Sequence, residues 1–157
     1  MSEEFTIQQR APQLIMSIRT ETAEGMLQAE VSELLPQIRQ YVTAQGGQPV
    51  GAPFCRSLGA EKGAVQVEAG IPVAALIPGK DRIAPGELPG GPTAVGVYVG
   101  PHNELGRSHQ ALVDWIKAQG REPAGPAWYS FLIGRRNEPD SSRWRTEICI
   151  PLRPAQD

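Results

Sequence analysis

The chain has 157 residues, of which 40% are hydrophobic and 20% are charged, a composition typical of a folded globular protein. Its net charge of -2 provides no positive field for nucleic acid or an anionic membrane, so we expect neither as a direct partner. The start, MSEEFTIQQR, lacks the apolar core of a signal peptide, and no stretch is long and apolar enough for a membrane span. We therefore expect a cytoplasmic protein.

The residue types that most often bind transition metals or act as strong nucleophiles, cysteine and histidine, are few, with two of each. Cys55 and Cys149 are too few for a disulfide framework and lack zinc-site spacing, so we expect buried thiols in a reducing compartment. His102 and His109 are not spaced as a helical metal pair. The sequence therefore predicts no metal, no cofactor and no catalytic set.

Glycine and proline are abundant, with 17 Gly and 15 Pro. They cluster at 46–53, 77–92, 120–127 and 137–142. Because these clusters separate apolar runs, they indicate turns between short elements rather than disorder.

In the first half, two extended runs come first, FTIQQ at 5–9 and PQLIMSI at 12–18. A helix follows, predicted from one apolar stripe: Leu27, Val31, Leu34, Ile38 and Val42. Pro36 lies inside this stripe and predicts a bend or break near Leu35. Gly46 takes the position where a helix C-terminus favours glycine.

The second half repeats this order. RIAPGEL at 82–88 and TAVGVYV at 93–99 are the extended runs, and a helix is predicted to start near Asn103. Its apolar stripe is Leu105, Leu112, Val113 and Ile116. Gly120 follows the helix as Gly46 follows the first one.

A gapless repeat links the segments that follow the two helices. AQGGQPVGAPFC at 44–55 aligns with AQGREPAGPAWY at 118–129, which places Phe54 opposite Trp128. Such self-similarity predicts that the two halves are copies of one structural unit.

A second pair of segments extends the repeat. VQVEAGIPV at 65–73 matches WRTEICIPL at 144–152, so that Glu68 lies opposite Glu147 and the Ile-Pro-aliphatic ending recurs. Each half thus opens a strand-like apolar run with a carboxylate.

These elements predict one domain over 1–157 with internal repeats 1–74 and 80–154. Each repeat reads strand–strand–helix–strand–strand, which is not the strict alternation of a parallel fold. We therefore predict an α+β fold with a pseudo-twofold antiparallel sheet of about eight strands. Two main helices are expected on one face, with a central ligand cleft between the halves.

Three blocks carry a resemblance to a known family: LPGGPTAVGVYVGPHNEL at 88–105, WIKAQGREPAGPAW at 115–128 and RTEICIPL at 145–152. In order and spacing they resemble the GyrI-like, or effector-binding, domain of multidrug-sensing bacterial transcription activators. The resemblance covers nearly the whole chain. It implies a module that binds hydrophobic, often cationic aromatic compounds and acts in sequestration or sensing. Nothing before Phe5 resembles a DNA-binding segment, so a stand-alone domain is expected.

Glu147 is the main candidate ligand residue. Strand alternation places it with Arg145 and Cys149 on one face, and Ile148 and Ile150 on the other. From this pattern alone, Glu147 reads as a charge on a solvent-facing side. The resemblance instead implies that the later of the two glutamates reaches into the ligand cavity. Glu68, its equivalent, is the second candidate.

Aromatic residues are dense in PAWYSF at 126–131. Alternation separates Trp128 from Tyr129 and Phe131. We expect Trp128 to pack beneath the helices, as Phe54 does in the first half, and Tyr129 and Phe131 to stand beside Glu147 and stack on a cation. The predicted ligand-binding residues are Glu147, Tyr129, Phe131, Trp128, Glu68 and Phe54.

Two other functions remain open at this point. Some stand-alone members of the resembling family are hydrolases of electrophilic small molecules, so a cofactor-free hydrolase of cyclopropanoids or esters is one alternative. In those members the PAWYSF strand commonly carries Glu at the position of Tyr129 and Tyr at the position of Phe131, so here Glu147 with Tyr129 would have to serve. The other alternative is a protein-interaction domain like the DNA gyrase inhibitor, and a protein partner or a homodimer remains open.

Overall fold

The computed structural model describes residues 5–134 and 137–155, which form an α+β fold as predicted. The described strands are β1 (Phe5–Arg10), β2 (Gln13–Ala23), β3 (Phe54–Glu61), β4 (Ala64–Pro72), β5 (Ile83–Leu88), β6 (Gly91–Val99), β7 (Trp128–Ile133) and β8 (Arg145–Pro151). The helices are α1 (Leu27–Ala44) and α2 (Leu105–Ala118), each preceded by a short 3₁₀ turn. The chain divides into two compact units.

The first unit, here the mid-chain unit, is Pro12–Pro89. Its strands pair antiparallel in the order β3-β4-β2-β5. Helix α1 packs on β4 and β2. The residues that α1 buries are Val31, Leu34, Ile38 and Val42, which are four of the five residues of the predicted stripe; Leu27 is only partly buried. Each such side chain contributes about 1.5–3 kcal/mol when fully removed from water, so packing, not intrinsic propensity, holds the helix.

The second unit, here the terminal unit, combines Met1–Ala11 with Gly90–Asp157. Its strands pair antiparallel in the order β1-β6-β8-β7. Helix α2 covers one face, where a buried core comprises Ala94, Leu105, Leu112, Ile116, Ile148, Ile150 and Leu152. The face of Ile148 and Ile150 therefore belongs to the helix, and the alternate residues of β8 lie on the opposite face.

The first strand of each predicted repeat belongs to the compact unit that contains the rest of the other repeat. Strand β1 pairs with β6, and β5 pairs with β2. The predicted order strand–strand–helix–strand–strand is confirmed in both halves. The compact units nevertheless differ from 1–74 and 80–154 by this exchange of strands, which local sequence patterns do not encode.

Strand registers agree with the predicted repeat. In the mid-chain unit Phe54 pairs with Gly70, two positions from Glu68. In the terminal unit Trp128 pairs with Cys149, two positions from Glu147. Phe54 and Trp128 therefore occupy equivalent places relative to the two glutamates.

Local irregularities repeat as well. Bulges interrupt the register between Ser57 and Gly59 in β3 and between Phe131 and Ile133 in β7. The residues after the helices, Gly46 and Gly120, adopt φ of +76° and +71°, as the predicted helix ends require. The two halves thus share the positions of their β-bulges and of the glycines that end their helices.

The predicted break at Pro36 is wrong. Helix α1 continues through Pro36, which is exposed together with Ser32, the residue one turn earlier. The carbonyl that loses its hydrogen bond is therefore on the solvent side, where water can satisfy it. The buried stripe on the other side keeps the helix in place.

Candidate functional site

Glu147 lies on the face of the terminal unit that is opposite α2. It pairs with Val97 of β6 and with Ser130 of β7, so its side chain shares a face with theirs. The side chain is 19% exposed, which leaves the carboxylate accessible at the surface of that sheet. The predicted alternation along β8 is confirmed.

Arg10, the last residue of β1, is the counter-ion of Glu147. Its Nη1 donates to Glu147 Oε1 over 3.2 Å and also lies 3.5 Å from Cys149 Sγ. Its Nε and Nη2 donate to Gln8 Oε1 over 3.2 and 3.0 Å. Burial is the largest single effect on Arg10 and lowers its pKa, but the hydrogen bond to Glu147 and the other interactions with Glu147 and Cys149 together outweigh it, so the pKa of Arg10 is raised. Glu147 therefore has a counter-ion within the protein.

Cys149 completes this cluster as a neutral thiol. Its Sγ–H donates to Glu147 Oε1 over 3.3 Å. Burial, and then the charge of Glu147, raise the pKa of Cys149 far above its usual value. Burial alone raises the pKa of Cys55 to about 12. Neither cysteine is a thiolate at neutral pH, so neither is an activated nucleophile.

Glu68 has a more complete set of donors. Ser17 Oγ and Arg19 Nε reach its Oε2 over 2.7 and 3.3 Å, and Arg56 Nε reaches its Oε1 over 2.5 Å. The residue is 1% exposed. Burial raises its pKa, but the hydrogen bonds from Ser17 and Arg56 and the arginine charges outweigh it, so the pKa of Glu68 is lowered. Glu68 is a satisfied structural carboxylate.

The two glutamates differ because their strand neighbours differ. Glu68 pairs with Arg19 and Arg56, whereas at the equivalent positions Glu147 pairs with Val97 and Ser130. Two cations of the mid-chain unit are thus replaced by an apolar and a small polar residue. Only the Arg10 side chain compensates Glu147 among the ion pairs of the described residues.

Exposed apolar side chains lie next to Glu147. Val97 is 37% exposed and Val99 is 46% exposed, and both point to the face of Glu147. A carboxylate beside open apolar surface can attract a cation and offer contact to its hydrophobic part.

The predicted faces of the aromatic strand are wrong. Tyr129 pairs with Ile148, and Phe131 pairs with Thr146, so both rings lie on the helix side and not beside Glu147. Trp128 lies on the Glu147 face and not beneath the helix, and Phe54 lies likewise on the Glu68 face. Trp128 is 3% exposed and Phe54 is fully buried. Whether any of these four residues contacts a ligand stays a prediction.

Tyr129 is tied to helix α2. Its hydroxyl lies 2.7 Å from Nδ1 of His109, whose pKa is lowered by burial. The ring centroid of His102 lies 5.3 Å from that of Phe131 and 5.0 Å from that of Trp144, and both ring pairs are tilted. Tyr129 and Glu147 lie on opposite faces of the sheet, so the structure does not bring together the pair that the hydrolase alternative would require.

Sequence reasoning missed the arginines. To predict the contact of Arg10 with Glu147, one would have to know that β1 pairs with β6, and no local sequence pattern shows this pairing. Arg56 and Ser130 stood two positions beyond the compared Phe54 and Trp128, so extending the same alignment would have found this difference. The difference between Arg56 and Ser130 is one reason why Glu68 has more hydrogen-bond donors than Glu147.

A surface groove is also present among the described residues. It has a volume of about 580 Å³, lies in the mid-chain unit, and is lined by both polar and apolar residues, including Glu21, Glu61 and Lys62. In residues 5–134 and 137–155 no three His, Cys, Asp or Glu side chains group to hold a metal. No helix within these ranges is long and apolar enough to cross a bilayer.

Comparison with known proteins gives a family and a fold. The family model for the GyrI-like small molecule binding domain matches residues 3–153. None of the curated proteins matches the sequence. The crystal structure of the EcmrR C-terminal domain is similar with a TM-score of 0.86 at 19% identity, over 99% of this chain and 100% of that one.

Longer and more distant structures match as well. EcmrR in a cryo-EM complex with DNA matches at a TM-score of 0.86 and 20% identity over 98% of this chain, which spans 58% of that protein's chain. A hydrolase from Listeria innocua matches with a TM-score of 0.70 at 11% identity, over 96% and 92% of the two chains. SAV2435, solved with tetraphenylphosphonium, matches with a TM-score of 0.63 at 12% identity, over 96% and 94%. These likenesses establish the fold.

Proposed function

The chain belongs to the GyrI-like family of small-molecule binding domains, and we propose that it binds hydrophobic organic cations at Glu147. One observation carries this proposal: a half-buried carboxylate, 19% exposed, lies beside the exposed side chains of Val97 and Val99. The carboxylate supplies the charge that selects a cation, and the valines supply apolar contact. Aqueous inorganic cations gain only the first of these.

The choice of Glu147 over Glu68 rests on the number of arginines. Glu68 already interacts with Arg19 and Arg56 and is buried. A ligand cation there would have to displace two guanidinium groups and enter a closed site. Glu147 would require the release of Arg10 alone.

The ligand class has support from a structural neighbour. SAV2435 was solved with tetraphenylphosphonium, a cation surrounded by apolar rings. Because a likeness at 12% identity establishes the fold alone, the main argument for this ligand class is the charge of Glu147 together with the exposed valines, and SAV2435 is an example of a protein of this fold with such a ligand. The biological role we propose is capture or sensing of such compounds, in line with EcmrR, in which this fold is a C-terminal domain of a DNA-bound protein. We propose a cytoplasmic setting, where Cys55 and Cys149 would stay reduced.

The test is calorimetric binding of tetraphenylphosphonium and of neutral triphenylphosphine oxide to the wild type and to Glu147→Gln. We expect about a tenfold loss of tetraphenylphosphonium affinity, roughly 1.4 kcal/mol, because the carboxylate is partly screened by solvent. Binding of the neutral compound should change little. Glu33→Gln, which removes an exposed carboxylate of α1, is the matched control. Equal losses for both compounds would contradict the proposal.

A further inference from the structure

Arg10 and Glu147 form an ion pair that is only partly satisfied. A single guanidinium nitrogen, Nη1, contacts a single carboxylate oxygen, Oε1, at 3.2 Å. Among the described residues, Oε2 of Glu147 has no hydrogen-bond donor, whereas both oxygens of Glu68 are engaged. The pair therefore lacks the two-point geometry that makes arginine–carboxylate pairs strong.

The rest of the Arg10 guanidinium is held elsewhere. Its Nε and Nη2 both bind Gln8 Oε1, on the same strand β1. These contacts do not depend on Glu147, so Arg10 can give up its bond to Glu147 and keep its bonds to Gln8. The side chain is 27% exposed, and water can hydrate the released group.

We propose that Arg10 is a specificity-determining residue, an internal cation that occupies Glu147 and that a ligand must displace. This inference rests on the proposed function and adds a selection rule to it. Displacement of Arg10 lowers the affinity of every cation by the same amount. Only a cation that also gains contact with Val97 and Val99 recovers this loss. Small hydrophilic cations are therefore rejected.

The size of the effect of removing Arg10 depends on how often Arg10 covers Glu147. When a binding-competent state is populated in a fraction f of molecules, the apparent Kd rises by 1/f. If Arg10 covers Glu147 in about nine molecules of ten, its removal should strengthen binding by about tenfold. A gain of affinity is an informative result because a misfolded variant would not produce it.

The experiment measures binding of tetraphenylphosphonium and tetramethylammonium to the wild type, Arg10→Gln and Arg153→Gln. Arg153 is 70% exposed and lies 3.9 Å from Glu122, so its variant controls for the change of net charge. We expect Arg10→Gln to bind tetraphenylphosphonium about tenfold more tightly and to gain measurable tetramethylammonium binding. Arg153→Gln should resemble the wild type.

The outcomes separate the two proposals. If the wild type binds tetraphenylphosphonium through Glu147 but Arg10→Gln binds it equally or more weakly, the displaceable role of Arg10 is refuted and the proposed function stands. If neither the wild type nor Arg10→Gln binds tetraphenylphosphonium, the proposed function itself is refuted. A double variant, Arg10→Gln with Glu147→Gln, should lose the gain, because there is then no carboxylate to uncover.

Discussion

Ser130 lies opposite Glu147 in the terminal unit, at the position that Arg56 occupies opposite Glu68 in the mid-chain unit. The buried carboxylate of Glu68 therefore forms ion pairs with Arg19 and Arg56, whereas the carboxylate of Glu147 has the small residue Ser130 opposite it. The two equivalent strands therefore carry one glutamate that accepts from Ser17, Arg19 and Arg56, and one that has Arg10 as its counter-ion and that we propose as the ligand site.

Glu68→Gln should destabilise the protein by about 3 kcal/mol, because it leaves the guanidinium of Arg56 in a buried place without its charge partner. Urea unfolding at pH 7 measures this effect, and Glu33→Gln should stay within about 0.5 kcal/mol of the wild type. A Glu68→Gln protein as stable as the wild type would contradict the structural role of this carboxylate.

The same pair makes stability depend on acid pH. Because the folded-state pKa of Glu68 is lowered, its contribution is complete above the unfolded-state pKa, whose ordinary value is 4.5. The contribution is lost as the pH falls through the lower, folded-state pKa. The difference in unfolding free energy between the wild type and Glu68→Gln should therefore shrink when urea titrations are repeated at decreasing pH below 4.5. A constant difference would disagree with this assignment.

Tyr129→Phe should cost about 1 kcal/mol of stability, because it removes the hydroxyl that contacts His109 Nδ1. It should leave tetraphenylphosphonium affinity unchanged, since the ring faces α2 and not Glu147. Urea unfolding and calorimetry on one protein preparation give both values. A clear loss of affinity at unchanged stability would restore the role in binding that the sequence suggested.

His109 should give a second, separate pH effect. Burial lowers its folded-state pKa below the ordinary 6.5, so the folded protein resists protonation while the unfolded chain accepts it. The stability from neutral His109 is complete above pH 6.5 and falls as the pH drops towards the folded-state pKa. In His109→Gln the unfolding free energy should vary less between pH 7 and pH 5, about the range in which histidine titrates. An unchanged slope would show that other groups cause the dependence.

Two glycine-to-alanine substitutions should change the stability of the protein in opposite directions. A Cβ at Gly70 would lie 2.8 Å from the Met16 carbonyl oxygen and 2.9 Å from the Phe54 ring, so Gly70→Ala should destabilise by about 1–3 kcal/mol. A Cβ at Gly106 in α2 meets nothing within 4 Å, so Gly106→Ala should stabilise by about 0.5 kcal/mol. Thermal unfolding of both variants measures the contrast. A neutral Gly70→Ala would show that the Phe54 ring is not packed there.

The sequence was sufficient for the elements and for the repeat. Apolar stripes gave both helices, and the gapless alignment placed Phe54 and Trp128 in equivalent registers. Such features are local, or they compare a segment with its own copy. The family resemblance is confirmed by the match over residues 3–153.

The faces of β7 and the partner of Glu147 were not predictable in this way. Alternation says that Trp128 and Tyr129 point apart, but only the pairing with β8 says which of them faces α2. Trp128 was assigned to the helix side because large aromatic rings are usually core residues, yet both sides are buried at that point. Arg10 reaches Glu147 through a pairing between distant segments, which a single sequence does not reveal.

The central claim is that Glu147 is available to a cation because the residues paired directly with it, Val97 and Ser130, are not arginines. Val97→Arg reproduces at Glu147 the arrangement of Arg19 with Glu68, at a position already 37% exposed and therefore tolerant of a long polar side chain. Leu76→Arg, at an apolar residue that is 71% exposed in the mid-chain unit, adds the same charge away from the site.

The decisive measurement is tetraphenylphosphonium affinity by calorimetry for the wild type, Val97→Arg and Leu76→Arg. We predict a loss of at least about tenfold for Val97→Arg, since a second internal cation then competes for Glu147 and the apolar contact of Val97 is lost as well, and little change for Leu76→Arg. Wild-type affinity in Val97→Arg, with the protein shown to be folded by its thermal unfolding, would contradict the claim that Glu147 recognises the cation.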